Sequence, residues 1–72
     1  MKLRNLLNEG KLLASSPTEE RIIKLISQYF MGSTISLHPT DDENIFDVHN
    51  LKGKLKNFHV VKKGGKYRFE EK

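Results

Sequence analysis

The spacing of the apolar residues changes at Gly32, and this change limits the fold more than any other feature of the sequence. Before Gly32, apolar residues recur at the three- and four-residue spacing of helices. After it, they alternate with polar residues, as in strands that bury one face. This pattern predicts helices packed on one face of an antiparallel sheet. The chain has 72 residues, so we expect residues 1–72 to form a single small α+β domain.

Two helices are predicted before Gly32. Four leucines between positions 3 and 13 share one helical stripe, which predicts a helix over residues 2–14, although Gly10 disfavours it by about 1 kcal/mol relative to alanine. We expect these leucines to pack on the second helix; a dimer contact is the alternative. The second helix is predicted over residues 17–31. Ser16 and Glu19 form a capping box at its start, and Gly32 ends it.

Four strands are predicted after Gly32, paired as two hairpins. In the first hairpin, residues 34–38 pair with residues 45–49, with Leu37 opposite Phe46. The second turns at Gly64-Gly65, because a type I′ turn needs two positive φ angles. Alternation then gives the sheet one apolar face: Ile35, Leu37, Phe46, Val48, Phe58, Val60, Tyr67 and Phe69. The predicted fold is two N-terminal helices followed by a four-stranded antiparallel β-meander, with helix 17–31 packed on that face.

The composition excludes several functional classes. The chain has no cysteine, which removes disulfides, thiolate nucleophiles and sulfur-ligated zinc. Its longest apolar runs are triplets, far below the roughly 18 residues of a membrane span, and no secretory signal is apparent. We therefore expect a cytoplasmic protein with no membrane partner and no cofactor. Nothing in the sequence sets the oligomeric state.

The charge is concentrated in the last third of the chain. Residues 1–50 carry five bases and seven acids, whereas residues 51–72 carry eight bases and only Glu70 and Glu71, within a total net charge of +4. Clustered cations attract anionic partners. The candidate residues for binding a partner protein or a nucleic acid are Lys52, Lys54, Lys56, His59, Lys63, Lys66 and Arg68.

Three interpretations of this basic region stay open. The lysines can simply keep a small sheet soluble and protect its edge. They can steer the chain towards an acidic surface of a partner protein. This is the leading hypothesis, in which the chain is a small non-enzymatic binding module that acts as a regulator, inhibitor or adaptor of another protein. They can also contact nucleic-acid phosphates, which is the alternative. The aromatic residues are expected on the apolar face, where they cannot stack on bases.

No other motif predicts a chemistry. His38, His49 and His59 fall on separate strands, and the predicted register puts His38 and His49 at opposite ends of their pair, so no metal site is expected. Residues 41–44 are expected to form a solvated loop. The Gly64-Gly65 turn lacks the Ser/Thr and the helix of a phosphate-binding loop. The serines fit caps, turns and strand faces, so we do not expect an enzyme.

Overall fold

The computed structural model describes residues 11–72 of the chain, which form one helix and five strands. In chain order they are β1 (Lys11–Ser16), α1 (Glu19–Tyr29), β2 (Ser36–Pro39), β3 (Ile45–Asn50), β4 (Gly53–Lys63) and β5 (Lys66–Glu71). All neighbouring strands are antiparallel, and their order across the sheet is β1-β5-β4-β3-β2. The helix packs on one face of this sheet, and the other face is left without a helix from residues 11–72.

The predicted fold is wrong in its first element. Residues 11–14 of the predicted helix 2–14 lie in β1, and the remainder of that helix lies outside the described residues. The domain is therefore a five-stranded antiparallel sheet with one helix in residues 11–72, mostly β, and not two helices with a four-stranded meander. Strand β1 pairs with β5, on the side of β5 that would otherwise be an open edge.

A bulge explains why β1 resembled a helix in sequence. Leu12 lies opposite Glu70 and Ala14 lies opposite Phe69, so Leu13 is an extra residue in the ladder. Leu13 and Ala14 both pack against the core, whereas Leu12 is 46% exposed. Two consecutive core residues break strict alternation and imitate a helical stripe.

Helix α1 is shorter than the predicted helix 17–31, and its cap lies two residues later. Thr18 is the N-cap: its hydroxyl accepts a hydrogen bond from the Arg21 N–H at 3.2 Å. Ser16 lies buried at the end of β1. Glu19 and Glu20 occupy the first turn, where the helix dipole favours acids. At the other end the C-cap is Phe30, and the left-handed residue that follows it is Met31, with a φ of 60°, and not Gly32 as predicted; Gly32 comes next, with a φ of 88°.

The two hairpins agree with the sequence to different degrees. The β4–β5 register is confirmed, with Lys62 opposite Tyr67, and Gly64 and Gly65 have φ of 60° and 79°. The β2–β3 register is wrong by two residues, because Leu37 lies opposite Val48. A shift of two keeps every side chain on its face, so the apolar pattern alone cannot detect it.

The core lies between α1 and the predicted apolar face of the sheet, which is confirmed. Its buried members are Ile22, Ile26, Ile35, Val48, Val60 and Phe69, and the other apolar residues predicted for that face pack against them. Rings at the end of α1 fix the helix to the sheet: the Phe30 and Phe58 centroids lie 5.1 Å apart, edge to face. Leu55 also reaches the core, because the β3–β4 register shifts between Asp47 and His49.

Candidate interaction surface

The face of the sheet opposite α1 carries an ordered array of polar side chains. Cross-strand partners define its central row: His38 on β2, Asp47 on β3, His59 on β4 and Glu70 on β5, with Leu12 of β1 next to Glu70. Cross-strand partners share a face and lie about 5 Å apart, so this row crosses all five strands. We call this side of the sheet the outer face.

Glu70 is the centre of the best-ordered polar contacts on the outer face. Its carboxylate accepts a hydrogen bond from His59 Nε2 at 3.1 Å and another from Arg68 Nε at 2.9 Å. Its side chain is only 11% exposed. Burial raises the pKa of Glu70, but the hydrogen bonds and charges of Arg68 and His59 outweigh it and leave the pKa below its ordinary value. Glu70 therefore stays ionised and holds the side chains of Arg68 and His59 in place.

Three of the predicted binding residues are already engaged within the chain. His59 and Arg68 bind Glu70, and Lys54 Nζ lies 3.4 Å from Asp47 Oδ2. Arg68 remains 41% exposed, so its guanidinium can still contact a partner, whereas the His59 side chain is only 15% exposed. Sequence reasoning missed Glu70 as their partner, although the confirmed β4–β5 register already places it opposite His59.

The structure separates the remaining predicted residues into two groups at opposite ends of β4. Lys63 and Lys66 face each other beside the Gly64-Gly65 turn, whereas Lys52 lies in the turn between β3 and β4. Strand β4 has 11 residues, which at about 3.3 Å per residue spans over 30 Å. Lys56 lies near the Lys52 end. The seven candidates thus do not form one continuous basic surface.

An acidic loop lies beside the Lys63 end. The backbone N–H of Lys62 donates to the carbonyl of Asn44 at 2.7 Å, which fixes the β2–β3 loop next to the β4–β5 turn. Asp41, Asp42 and Glu43 belong to this loop, and all three are exposed. An acidic loop and a basic turn therefore lie side by side at this end of the molecule.

The predicted placement of two histidines is wrong. The rings of His38 and His49 stack with centroids 3.8 Å apart, because the two-residue register shift brings them together. Ser36 Oγ lies 3.1 Å from His38 Nε2. Ser36 and His38 are both exposed on the edge strand β2, and Asp47, across from His38, is bound to Lys54. In residues 11–72, no three His, Asp or Glu side chains are grouped to hold a metal ion.

A second surface, which the sequence did not indicate, lies where two turns meet. Ser33, Thr34, Asn50, Leu51 and Lys52 line a cavity of about 270 Å³. Leu51 on its rim is 85% exposed, and Met31, two residues before Ser33, is 95% exposed. The hydrophobic pattern did not indicate that these two residues are exposed, since Met31 ends an apolar triplet within the predicted helix 17–31 and Leu51 is a single apolar residue in a turn.

Within residues 11–72, no helix is both long and apolar enough to span a bilayer. Comparisons with protein-family models, with curated proteins and with solved structures gave no match to this chain.

Proposed function

We propose that this chain is a small, non-enzymatic, cytoplasmic binding module that acts as a regulator, inhibitor or adaptor of another protein. It binds through the outer face of its sheet at the β4–β5 hairpin. Lys63, Lys66 and Arg68 contact acidic groups of the partner there. The supporting observation is the Arg68–Glu70–His59 contact on a sheet face that no helix of residues 11–72 covers.

The fixed side chains on the outer face suit recognition of a folded protein. Arg68 is held by Glu70 at 2.9 Å, so less side-chain entropy is lost when it binds a carboxylate. Ile45 and Val61 are cross-strand partners beside it, and both are half-buried. Apolar groups surrounded by fixed polar groups are typical of protein interfaces.

The acidic loop beside the basic hairpin favours a protein over a nucleic acid as the partner. A nucleic acid presents closely spaced phosphates, which Asp41, Asp42 and Glu43 would repel. A partner protein can match lysines and carboxylates side by side. The aromatic rings of the sheet also point away from the outer face: Phe69 is buried, and Phe58 and Tyr67 pack against the core. These phenylalanine and tyrosine rings therefore provide no platform for base stacking on that face.

The test is capture of partners by the tagged full-length chain and by charge-reversed variants. The pair Lys63→Glu and Lys66→Glu is expected to abolish capture, because it reverses two exposed cations without touching Glu70. The matched control is Arg21→Glu with Lys24→Glu, an equal charge change on the exposed surface of α1. Arg68 should be changed separately, because a carboxylate at that position would face Glu70.

A protein identified in this way must also form a complex with the purified chain. We expect the wild type and the α1 control to bind this protein with equal affinity, and the Lys63→Glu/Lys66→Glu variant to bind it at least about tenfold more weakly. Equal binding by the hairpin pair would remove Lys63 and Lys66 from the interface. Equal loss in both variants would mean that only net charge matters.

Nucleic-acid binding through the same residues is the second candidate, supported by eight bases against two acids in residues 51–72. It predicts an affinity for random duplex DNA or single-stranded RNA that falls steeply from about 50 to about 200 mM salt. Fluorescence anisotropy with labelled oligonucleotides measures this. Absence of binding at the lower salt concentration would exclude this candidate and leave the protein partner.

A further inference from the structure

We propose that the molecule has a second binding surface, a peripheral contact with an anionic lipid membrane, at the end that carries Met31 and Leu51. We call this region the Met31–Leu51 end; it comprises the turn at residues 30–34 and the turn at residues 50–53. It lies at the opposite end of β4 from Lys63 and Lys66. The absence of a membrane-spanning helix in residues 11–72 does not bear on a contact of this kind.

The two apolar side chains are exposed to a degree that is unusual for residues of their size. Met31 is 95% exposed and Leu51 is 85% exposed. Leu51 lines the cavity, and Met31 lies two residues before Ser33, which also lines it. Single exposed apolar residues are common on protein surfaces. Two that project from adjacent turns at one end of a small domain are less common, and they need a physical account.

Both turns are firmly held, so this exposure does not come from fraying. Around Met31, Gly32 N–H donates to the Ser27 carbonyl at 2.7 Å, and the Ser33 hydroxyl donates to the Phe30 carbonyl at 2.8 Å. Around Leu51, Asn50 Oδ1 accepts from the N–H groups of Lys52 at 2.8 Å and Gly53 at 3.1 Å. The backbone that carries each apolar side chain is therefore held in place by hydrogen bonds.

Met31 is also held in an unfavourable backbone conformation. Its φ is 60°, and it is the one non-glycine residue in residues 11–72 with positive φ. Asparagine or glycine would occupy this position at lower cost. An exposed methionine that costs stability and buries nothing against residues 11–72 suits a residue that is buried on binding.

Charge indicates which partner this end fits. Residues 50–57 contain three lysines and no acid. Lys54 is bound to Asp47, but Lys52 and Lys56 are exposed and have no ion pair in residues 11–72. Lys52 also lines the cavity, beside Thr34 and Asn50. A lysine with neighbouring hydroxyl and amide groups provides donors for the phosphate of a lipid headgroup.

The shape of this end favours a bilayer over a protein partner. A protein interface needs a continuous complementary patch of roughly 800 Å² on each side. Here the exposed apolar area comes from two side chains on different turns, Met31 and Leu51, and Leu51 shares the cavity wall with Ser33, Thr34, Asn50 and Lys52. A fluid headgroup region can accept two separate apolar groups while the lysines remain near the lipid phosphates.

The experiment is co-sedimentation of the full-length chain with vesicles of phosphatidylcholine alone or mixed with phosphatidylserine. The chain is expected to sediment with the mixed vesicles and not with phosphatidylcholine alone. Met31→Asn with Leu51→Ser is expected to weaken binding at least about tenfold, as is Lys52→Glu with Lys56→Glu. Asparagine suits the positive φ at position 31, and a thermal melt confirms that each variant is folded.

Lys63→Glu with Lys66→Glu is the matched control, with the same charge change at the other end of β4. It is expected to keep vesicle binding while it loses the proposed protein partner. The proposal is wrong if the chain sediments with neither kind of vesicle. It is also wrong if the Met31/Leu51 variant binds the mixed vesicles as tightly as wild type does. It is also wrong if the Lys63/Lys66 control loses as much affinity for the mixed vesicles as the Lys52/Lys56 variant does. Loss of a purified protein partner from the Met31/Leu51 variant, with vesicle binding unchanged, would assign this end to a protein.

Discussion

Glu70 shows how one side chain can organise the outer face. The whole residue is 9% exposed, and its two hydrogen bonds hold the side chains of His59 and Arg68 in place. A buried carboxylate without these partners would be protonated or would destabilise the fold. The proposed binding surface therefore depends on Glu70, an acidic residue that is not found when only the basic residues are considered.

Replacing Glu70 with glutamine tests this role. Because the pKa of Glu70 is lowered in the folded chain, its ionised form stabilises the fold above the carboxyl's ordinary pKa, and this contribution is lost as the pH falls through the folded pKa. At pH 7 we expect Glu70→Gln to lower the free energy of unfolding by about 1–2 kcal/mol.

The difference between wild type and Glu70→Gln should shrink in acid, below the ordinary glutamate pKa of about 4.3. Urea denaturation at several pH values measures it. A difference that does not change between neutral and strongly acidic pH would mean that the ionised state of Glu70 contributes nothing to stability.

At the scale of elements, the sequence interpretation and the structure differ on which residue caps the N-terminus of α1. Ser16 and Thr18 both lie where caps are common, and sequence reasoning selected Ser16 because Glu19 follows three residues later. The structure gives the cap to Thr18, since Ser16 ends β1 opposite Tyr67. The strand's pairing, which is not local, decided between two locally acceptable caps.

Thr18→Ala is therefore expected to destabilise the chain by about 1 kcal/mol, because the Arg21 N–H loses its acceptor. The effect should appear in thermal or urea denaturation. Thr18→Ser, which keeps the hydroxyl oxygen, is the matched control and should stay close to wild type. An alanine variant as stable as the serine variant would mean that the cap contributes little.

The features that could be predicted are those that depend on local chemistry. The Gly64-Gly65 turn, the helix through Ile22 and Ile26 and the apolar face of the sheet all follow from spacing and turn preference. The β2–β3 register and the strand at residues 11–16 could not be predicted, because a two-residue shift keeps all faces and a bulge hides alternation. The His38–His49 stack was missed for the first of these reasons.

The candidate site was predicted in part at the level of residue types but not of their arrangement. Sequence reasoning placed seven basic residues together, and the structure divides them between an end beside an acidic loop and an end with exposed apolar residues. Distance along a strand is not visible in a count of charges. The division replaces one basic region with two surfaces of different character.

At the scale of the whole molecule, these two surfaces should behave independently. They are separated by most of the length of a domain whose longest dimension is 39 Å, well beyond the roughly 8 Å screening length at physiological salt. We expect the stability changes of Lys63→Glu/Lys66→Glu and Lys52→Glu/Lys56→Glu to add within about 0.5 kcal/mol in the fourfold variant. Urea denaturation of the three variants tests this; a larger coupling would show that the two ends are linked.

The pairing of β1 with β5 has a consequence for how the chain folds during synthesis. The meander from β2 to β5 can form from neighbouring segments, but β1 must wait for a partner that begins fifty residues after its own last residue, at Lys66. Loop closure over that separation makes this pairing a late event. On the ribosome, β1 emerges before its partner and stays unpaired in the sheet until β5 has left the exit tunnel.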